Sequence, residues 1–371
     1  MTRKDDDFMT YQGSGVNYEA MDPFKRHAMR RAFETRGNMH RFGFAEVTLS
    51  RGESAYVFDQ GNFYGVFQPE GLGTENLVAD AMDEGMTDES YYYQIGKSSV
   101  GVISNDILTV GAQPVVLSPH WAVGHNDWFN HRHAEALVDG WADGCQEIGA
   151  VYGSGETSTL VDLVAKGSIE ISGASYGIIF PKKRLALGHN LKPGDHIIGA
   201  ASSGVHDNGF TLIRKLSGKL PEGYQTKMPS GRMFGDAVLT ATRLYAPLQD
   251  GLFSEGINIH YMANVTGHGL RKLMRARQPF TYRIHTLPEP QEEFGFIQEH
   301  GPVSTDEMYG NYNMGTGYAF YVPEEQAEEA ITISRQLGFE TMDMGIVEEG
   351  EKQVVLEPIG ITFREESLQL R

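Results

Sequence analysis

Apolar residues return at helical spacing between Tyr92 and Val110, where Ile95, Val102, Ile103, Ile107 and Val110 share one side and Gly111 closes the run. That period predicts an amphipathic helix. A second helix is expected after Asn130, its cap, with Ala134, Leu137, Val138, Trp141, Cys145 and Ile148 on the inner face. Upstream, Asp22-Pro23 before PFKRHAMRRAFETR reads as an N-cap with proline at the first helical position, and Gly37 suits the stop. A fourth helical pattern runs from Pro323 to Leu337.

Between these runs the pattern shortens to strands. Ser54–Phe58 and Phe63–Phe67, separated by Asp59-Gln60-Gly61-Asn62, predict a β-hairpin. Val115–Leu117, Ile169–Phe180 and His196–Ala201 read as further strands, the last leading through a glycine loop to a helix that ends near Gly218. Strands and helices mix on both sides of Pro181-Lys182-Lys183-Arg184 and Leu191-Lys192-Pro193-Gly194-Asp195. The reading is an α/β (α+β) chain of two domains, 1–181 and 182–371, with the boundary in that polar stretch.

Composition narrows the function classes. No stretch approaches the ~20 apolar residues of a membrane span, and MTRKDDDFMT lacks the apolar core of a signal peptide. A single cysteine, Cys145, allows no intrachain disulfide and fits a reducing, cytoplasmic setting; on the inner stripe of its helix it is expected in the core. The formal net charge of −18 repels nucleic acid over most of the surface. A phosphorylated small molecule would need local cations, magnesium or backbone amides, and the 44 glycines make amide cradles available.

Glycine sits beside a carboxylate, histidine or amide in several segments: Glu70-Gly71-Leu72-Gly73-Thr74-Glu75, Gly153-Ser154-Gly155-Glu156-Thr157, Ser202 to Gly209 (SSGVHDNG), Asn264 to Gly269 (NVTGHG) and Tyr312 to Gly317 (YNMGTG), with Asn105-Asp106 a further acidic pair. Such loops bring backbone N–H groups to phosphate, and neighbouring carboxylates are hard ligands for magnesium. Neither a Walker A sequence nor a dinucleotide fingerprint is present. His120, His125, His131 and His133 cluster without a standard metal-ligand spacing, and Tyr91-Tyr92-Tyr93 reads as core or interface.

Taken in order, Tyr11 to Asn17 (YQGSGVN), EGLGT, NDILTVGAQP at 105–114, SGET, SSGVHDNGF with Arg214 beyond it, TGHG and YNMGTG resemble AIR synthase, phosphoribosylformylglycinamidine cyclo-ligase, from about residue 11 to the C-terminus. The resemblance implies an N-terminal domain that forms a barrel across a homodimer interface and binds ATP, and a C-terminal α/β sandwich. It implies ATP and Mg2+ as cofactors and a reaction of purine biosynthesis, in which phosphoryl transfer to a formamide oxygen precedes ring closure. By motif, Glu70 and Asp106 would hold the metal. Gly71, Gly73, Thr74, Asn105, Gly155 and Thr157 would bind ATP, with Glu156 near the metal or the transferred phosphate. Ser203, Gly204, Asn208 and Asn313 would face substrate, and His206 would be the general acid/base.

Four departures mark the chain. Glu75 replaces a lysine expected near the phosphates, a swing of two charges that at a few ångströms is worth about 1 kcal/mol or more. Asp207 stands where the family carries serine, His268 where it carries glycine, and SGETSTLV replaces GGETAEMP. Lys97 is a candidate to restore the lost cation. These changes leave room for a paralogue with another acceptor, or for a homologue that binds nucleotide without turnover.

Overall fold

The computed structural model describes residues 18–84 and 90–368, so the 11–17 segment lies outside the described residues. Helix α1 is Tyr18–Glu34, followed by strands β1 (Ala45–Glu46), β2 (Tyr56–Asp59) and β3 (Tyr64–Gly71). Helices α2 (Asn76–Asp83) and α3 (Tyr92–Leu108) lead to β4 (Gln113–Val123), and helix α4 (Arg132–Glu147) to β5 (Val151–Tyr152), β6 (Glu156–Thr159) and β7 (Ile169–Ile179).

The expected hairpin is β2–β3, paired Tyr56↔Phe67 to Asp59↔Tyr64. At its tip the Asp59 carboxylate accepts the Gly61 N–H at 2.8 Å, a local bond of the kind that fixes such turns. These strands join a sheet in the order β1-β2-β3-β7-β4-β5, with β6 also on β4. Helix α3 packs on one face, since its Ile103 lies against Gly173 of β7 and its Ile107 against Gly177. The opposite face carries Tyr56, Phe58, Phe67 and Tyr176 without a covering layer among the described residues, and Phe67 is 46% exposed.

The second sheet holds β8 (His196–Ala201), β9 (Tyr261–Asn264), β10 (Phe280–Ile284), β11 (Thr316–Val322), β12 (Thr341–Glu349), β13 (Gln353–Leu356) and β14 (Ile361–Arg364). Their order is β14-β13-β10-β12-β8-β11-β9. Between them lie helices α5 (Phe210–Ser217), α6 (Phe234–Val238), α7 (Ala246–Ser254), α8 (Glu292–His300), α9 (Thr305–Asn311) and α10 (Ala327–Gln336). Among the described residues no strand of one sheet pairs with the other, yet one apolar core runs from Leu72 and Trp141 to Tyr245 and Phe363. Asn105 stitches the halves: its amide donates to the Arg243 carbonyl at 2.8 Å and accepts the Tyr245 N–H at 3.1 Å.

Four helix boundaries differ from the expectation, one of them the Pro323 start, where a 3-10 turn (Glu324–Gln326) precedes α10. Helix α1 is already formed at Tyr18 and runs through Pro23, so Asp22 is not its cap; a proline this early removes few backbone bonds. Helix α1 stops at Glu34, and Gly37 lies inside the following 3-10 turn, Arg36–Phe42, which Gly43 closes in the left-handed region. Asn130 ends another 3-10 turn, leaving extended His131 to start α4. On α4, Leu137, Trp141 and Cys145 are buried, but Val138 is 39% exposed. A step of one residue turns a helix by about 100° and carries Val138 off the stripe.

Candidate active site

Strand β3 carries Glu70 into a pocket that it lines with Gly71, Ser118, His120 and Ser172. Beyond it the Leu72 N–H bonds the Ile171 carbonyl at 2.9 Å, and Gly73 turns at φ 86°. That angle suits glycine, and open space around Gly73 leaves its backbone accessible. Gly71, Gly73 and Thr74 therefore form a partly exposed loop that ends at helix α2. Glu75, the residue after Thr74, is turned inward and buried.

Asp106 approaches this loop from α3. Its Oδ1 accepts from Asn264 Nδ2, at the end of β9, at 2.9 Å. The carboxyl of Glu70 is pushed above its usual range by burial and then by the nearby Asp106 charge. Near these acids and Arg275 lies Lys272, buried and bonded to Thr266 Oγ1. Burial lowers its pKa to about 8, while Asp106 and Glu70 work to keep it charged. Lys272 escaped the sequence reading; its only signal is its place three residues beyond the Thr266–Gly269 loop. Among the described residues no group of three His, Cys, Asp or Glu is arranged to hold a metal alone.

The Ser202–Gly209 loop approaches from the other half, with Asp207 near Glu70 and Glu75, but most of its polar groups are spent on internal bonds. Ser203 Oγ donates to the Ala241 carbonyl at 2.7 Å. Asn313, 1% exposed, gives its Nδ2 to the Gly204 carbonyl at 2.9 Å and accepts the Gly315 N–H at 3.0 Å. It holds the loop rather than presenting a free amide. Among the described residues Asn208 Nδ2 is buried and has no partner, which leaves it the freest amide of the loop.

His206 is likewise not poised as expected. It is 1% exposed, and its Nε2 accepts the Ser203 N–H at 3.1 Å. Burial, with Arg243 nearby, lowers its pKa to about 3, so the ring stays neutral. A neutral imidazole held in this way does not titrate near pH 7, which removes the reason for choosing it as general acid/base. The expectation missed the packing under β11, where a Cβ on Gly317 would collide with His206 and Tyr245.

Other expected groups lie elsewhere. Asn105 is occupied by the backbone bonds that join the halves. Glu156 and Thr157 are exposed on β6, with Gly155 exposed just before it, and Glu156 pairs with His120 of β4. The row Gly71↔Ser172↔His120↔Glu156 places Glu156 three strands from Gly71, about 14 Å. Lys97 is committed to Glu147 at 2.7 Å and does not replace the lost cation. Of the histidines, His133 pairs with Asp83 at 2.9 Å, while His120 lies 3.3 Å from Ser172 and lines one pocket with Glu70 and Gly71.

The AIR synthase related protein N-terminal domain matches residues 52–179, and the corresponding C-terminal domain matches 192–357. The chain belongs to the AIR synthase family. A phosphoribosylformylglycinamidine cyclo-ligase from Pyrococcus furiosus is 31% identical over 96% of this chain and 99% of its own length. One from Methanocaldococcus jannaschii is 32% identical over 77% of this chain and 79% of its own. The protein is thus a member of a family of ATP-dependent ligases. Two solved structures share the fold: hydrogenase maturation protein HypE in complex with ATP and AaThiL complexed with AMPPCP and TMP. HypE has a TM-score of 0.55, 19% identity and coverage of 72% of this chain and 78% of its own. AaThiL has a TM-score of 0.57, 13% identity and coverage of 84% and 90%. Among the described residues no helix is long and apolar enough to cross a membrane.

Proposed function

We propose that this AIR synthase family member catalyses ATP-dependent cyclisation of formylglycinamidine ribonucleotide to aminoimidazole ribonucleotide, a step of purine biosynthesis. The observation that carries the reading is the meeting of Glu70, Asp106, Asn264 and Lys272 beside the accessible Gly71–Thr74 loop. Relatives named as cyclo-ligases along nearly the whole chain support it. Nucleotide complexes of two proteins of the same fold support ATP as the phosphoryl donor.

In this reading the backbone of Gly71, Gly73 and Thr74, at the start of α2, receives the phosphates. Lys272 supplies positive charge to the transferred group. Glu70 and Asp106 are hard oxygen donors suited to magnesium, whose remaining ligands would be phosphate oxygens and water. Such an ion would neutralise charge on the phosphates. The formamide oxygen of the substrate attacks the γ-phosphorus and ADP departs. The amidine nitrogen then attacks the activated carbon, a proton is lost, and inorganic phosphate leaves. Both reacting groups belong to one molecule, so the site need only hold them in reach.

Residues 1–181 serve as the ATP-binding and dimerisation domain, and 182–371 as the substrate-side domain. The uncovered sheet face with Tyr56, Phe58, Phe67 and Tyr176 supports a second copy closing a barrel over it. A cytoplasmic homodimer follows. Incubation with ATP, magnesium and formylglycinamidine ribonucleotide should yield aminoimidazole ribonucleotide and ADP in equal amounts. ADP formed only with another acceptor would favour a second reading, a family member that phosphorylates a different small molecule, which Glu75 in place of lysine motivates. Bound nucleotide without turnover would indicate a binding protein.

A further inference from the structure

Glu75 and Asp207, two of the family departures, are physical partners. The Glu75 carboxyl is buried and takes Ser98 Oγ at 3.3 Å. Ser98 Oγ accepts the Thr242 N–H at 3.2 Å, and Thr242 Oγ1 donates to Asp207 Oδ2 at 2.6 Å. This chain of bonds draws the two carboxyl groups together, near enough to share a proton. Gly101 of α3 lets Thr242 come this close, since a Cβ there would lie 2.7 Å from its methyl.

Glu75 Oε2 and Asp207 Oδ1 are shut off from solvent, and among the described residues no other group donates to either. Two carboxylates in such a place do not both ionise. Burial raises both groups above the usual carboxyl range, and Asp207 raises Glu75 further. Asp207 takes the closer hydroxyl, Thr242 at 2.6 Å against Ser98 at 3.3 Å on Glu75, which favours Asp207 as the acceptor and Glu75 as the donor.

We infer that Glu75 and Asp207 form a positioning bridge, in which one shared proton fastens the 71–75 loop to the 202–209 loop and sets the spacing between them. The inference rests on the reading that the 71–75 loop holds nucleotide. It accounts for the family lysine's loss without a repulsive charge at the phosphates, because the Glu75 carboxyl is neutral and turned inward.

The bridge depends on pH with a definite sign. Its carboxyls bind the proton more tightly folded than unfolded, so its contribution is full below the ordinary carboxyl range and fades as pH rises through the raised values. The surrounding charges are few. Strand β3 brings Glu70, which opposes ionisation of Asp207; α3 brings neutral Ser98 and, farther off, Asp106 beside Glu70. The 240–245 segment brings Thr242 and Arg243, the latter acting on neutral His206, and Lys272 faces Glu70 and Asp106.

The test compares the full chain with Glu75→Gln, whose amide donates to Asp207 without a titratable proton. ATP dissociation constants and hydrogen exchange of the 71–75 and 202–209 loops are measured from pH 6 to 8.5. The wild-type to Glu75→Gln ratio of Kd should rise about tenfold across that range, with both loops losing protection together in the wild type only. Titration of Lys272 is common to both proteins and cancels in the ratio. A constant ratio with parallel exchange in the two proteins overturns the bridge. If wild-type protein binds no ATP at any pH the nucleotide reading falls, and the exchange comparison still decides the bridge.

Discussion

Asn264 Nδ2 donates to Asp106 Oδ1 at 2.9 Å, joining the end of helix α3 in one half to strand β9 in the other. The bond leaves Asp106 Oδ2 for a cation and holds the carboxylate in one orientation. Asp106→Asn should therefore raise the dissociation constant of MgATP at least tenfold, and Asn264→Ala should raise it a few-fold. Calorimetric titration with and without magnesium checks both; an unchanged constant for Asp106→Asn removes that residue from the metal site.

Lys272 gives the nucleotide site a pH limit. Its pKa is lowered from 10.5 to about 8, chiefly by burial. ATP affinity should fall as pH rises through 8, and Lys272→Arg, which stays charged, should lose that limb. Unfolding is not the cause: between 8 and 10.5 the unfolded chain binds the proton and the folded chain does not, so this group's contribution to stability rises there. Melting temperatures over the same range separate the two effects.

Asn105 is a structural link despite its place in a site-like motif. Asn105→Ala leaves the Tyr245 N–H and the Arg243 carbonyl without their partner in a buried setting, at a cost of about 2–3 kcal/mol. Urea unfolding should show that loss, with ATP affinity of the folded protein changed less than twofold.

His206 makes the opposite kind of prediction. A ring held neutral down to about pH 3 adds no limb near its ordinary value of 6.5. The profile of kcat/KM from pH 5.5 to 7.5 should be the same shape for wild type and His206→Asn, even where the variant is slower. A wild-type limb near 6.5 that the variant lacks would restore the histidine as acid/base.

The sequence pattern made the fold legible wherever one face is buried. Strand β8 and helix α3 fall within two residues of the expected bounds, because a dry face imposes its period. Helix starts at Tyr18 and Arg132 were not legible, since the capping signals at Asp22 and Asn130 compete with neighbouring turns. Glu70 and Asp106, expected from separate motifs, lie near each other in the fold. Lys272 and the Glu75–Asp207 contact were not legible, because partners from opposite halves meet only through the folded core. His206 and Asn313 misled for a related reason: a polar residue in a glycine loop serves the loop as readily as a ligand.

The proposal that the formamide oxygen becomes the leaving phosphate can be tested with substrate carrying 18O at the formyl group. One turnover with ATP and magnesium should place the label in inorganic phosphate, one atom for each aminoimidazole ribonucleotide formed. Unlabelled phosphate beside labelled water, or no aminoimidazole product from well-folded protein, would contradict it.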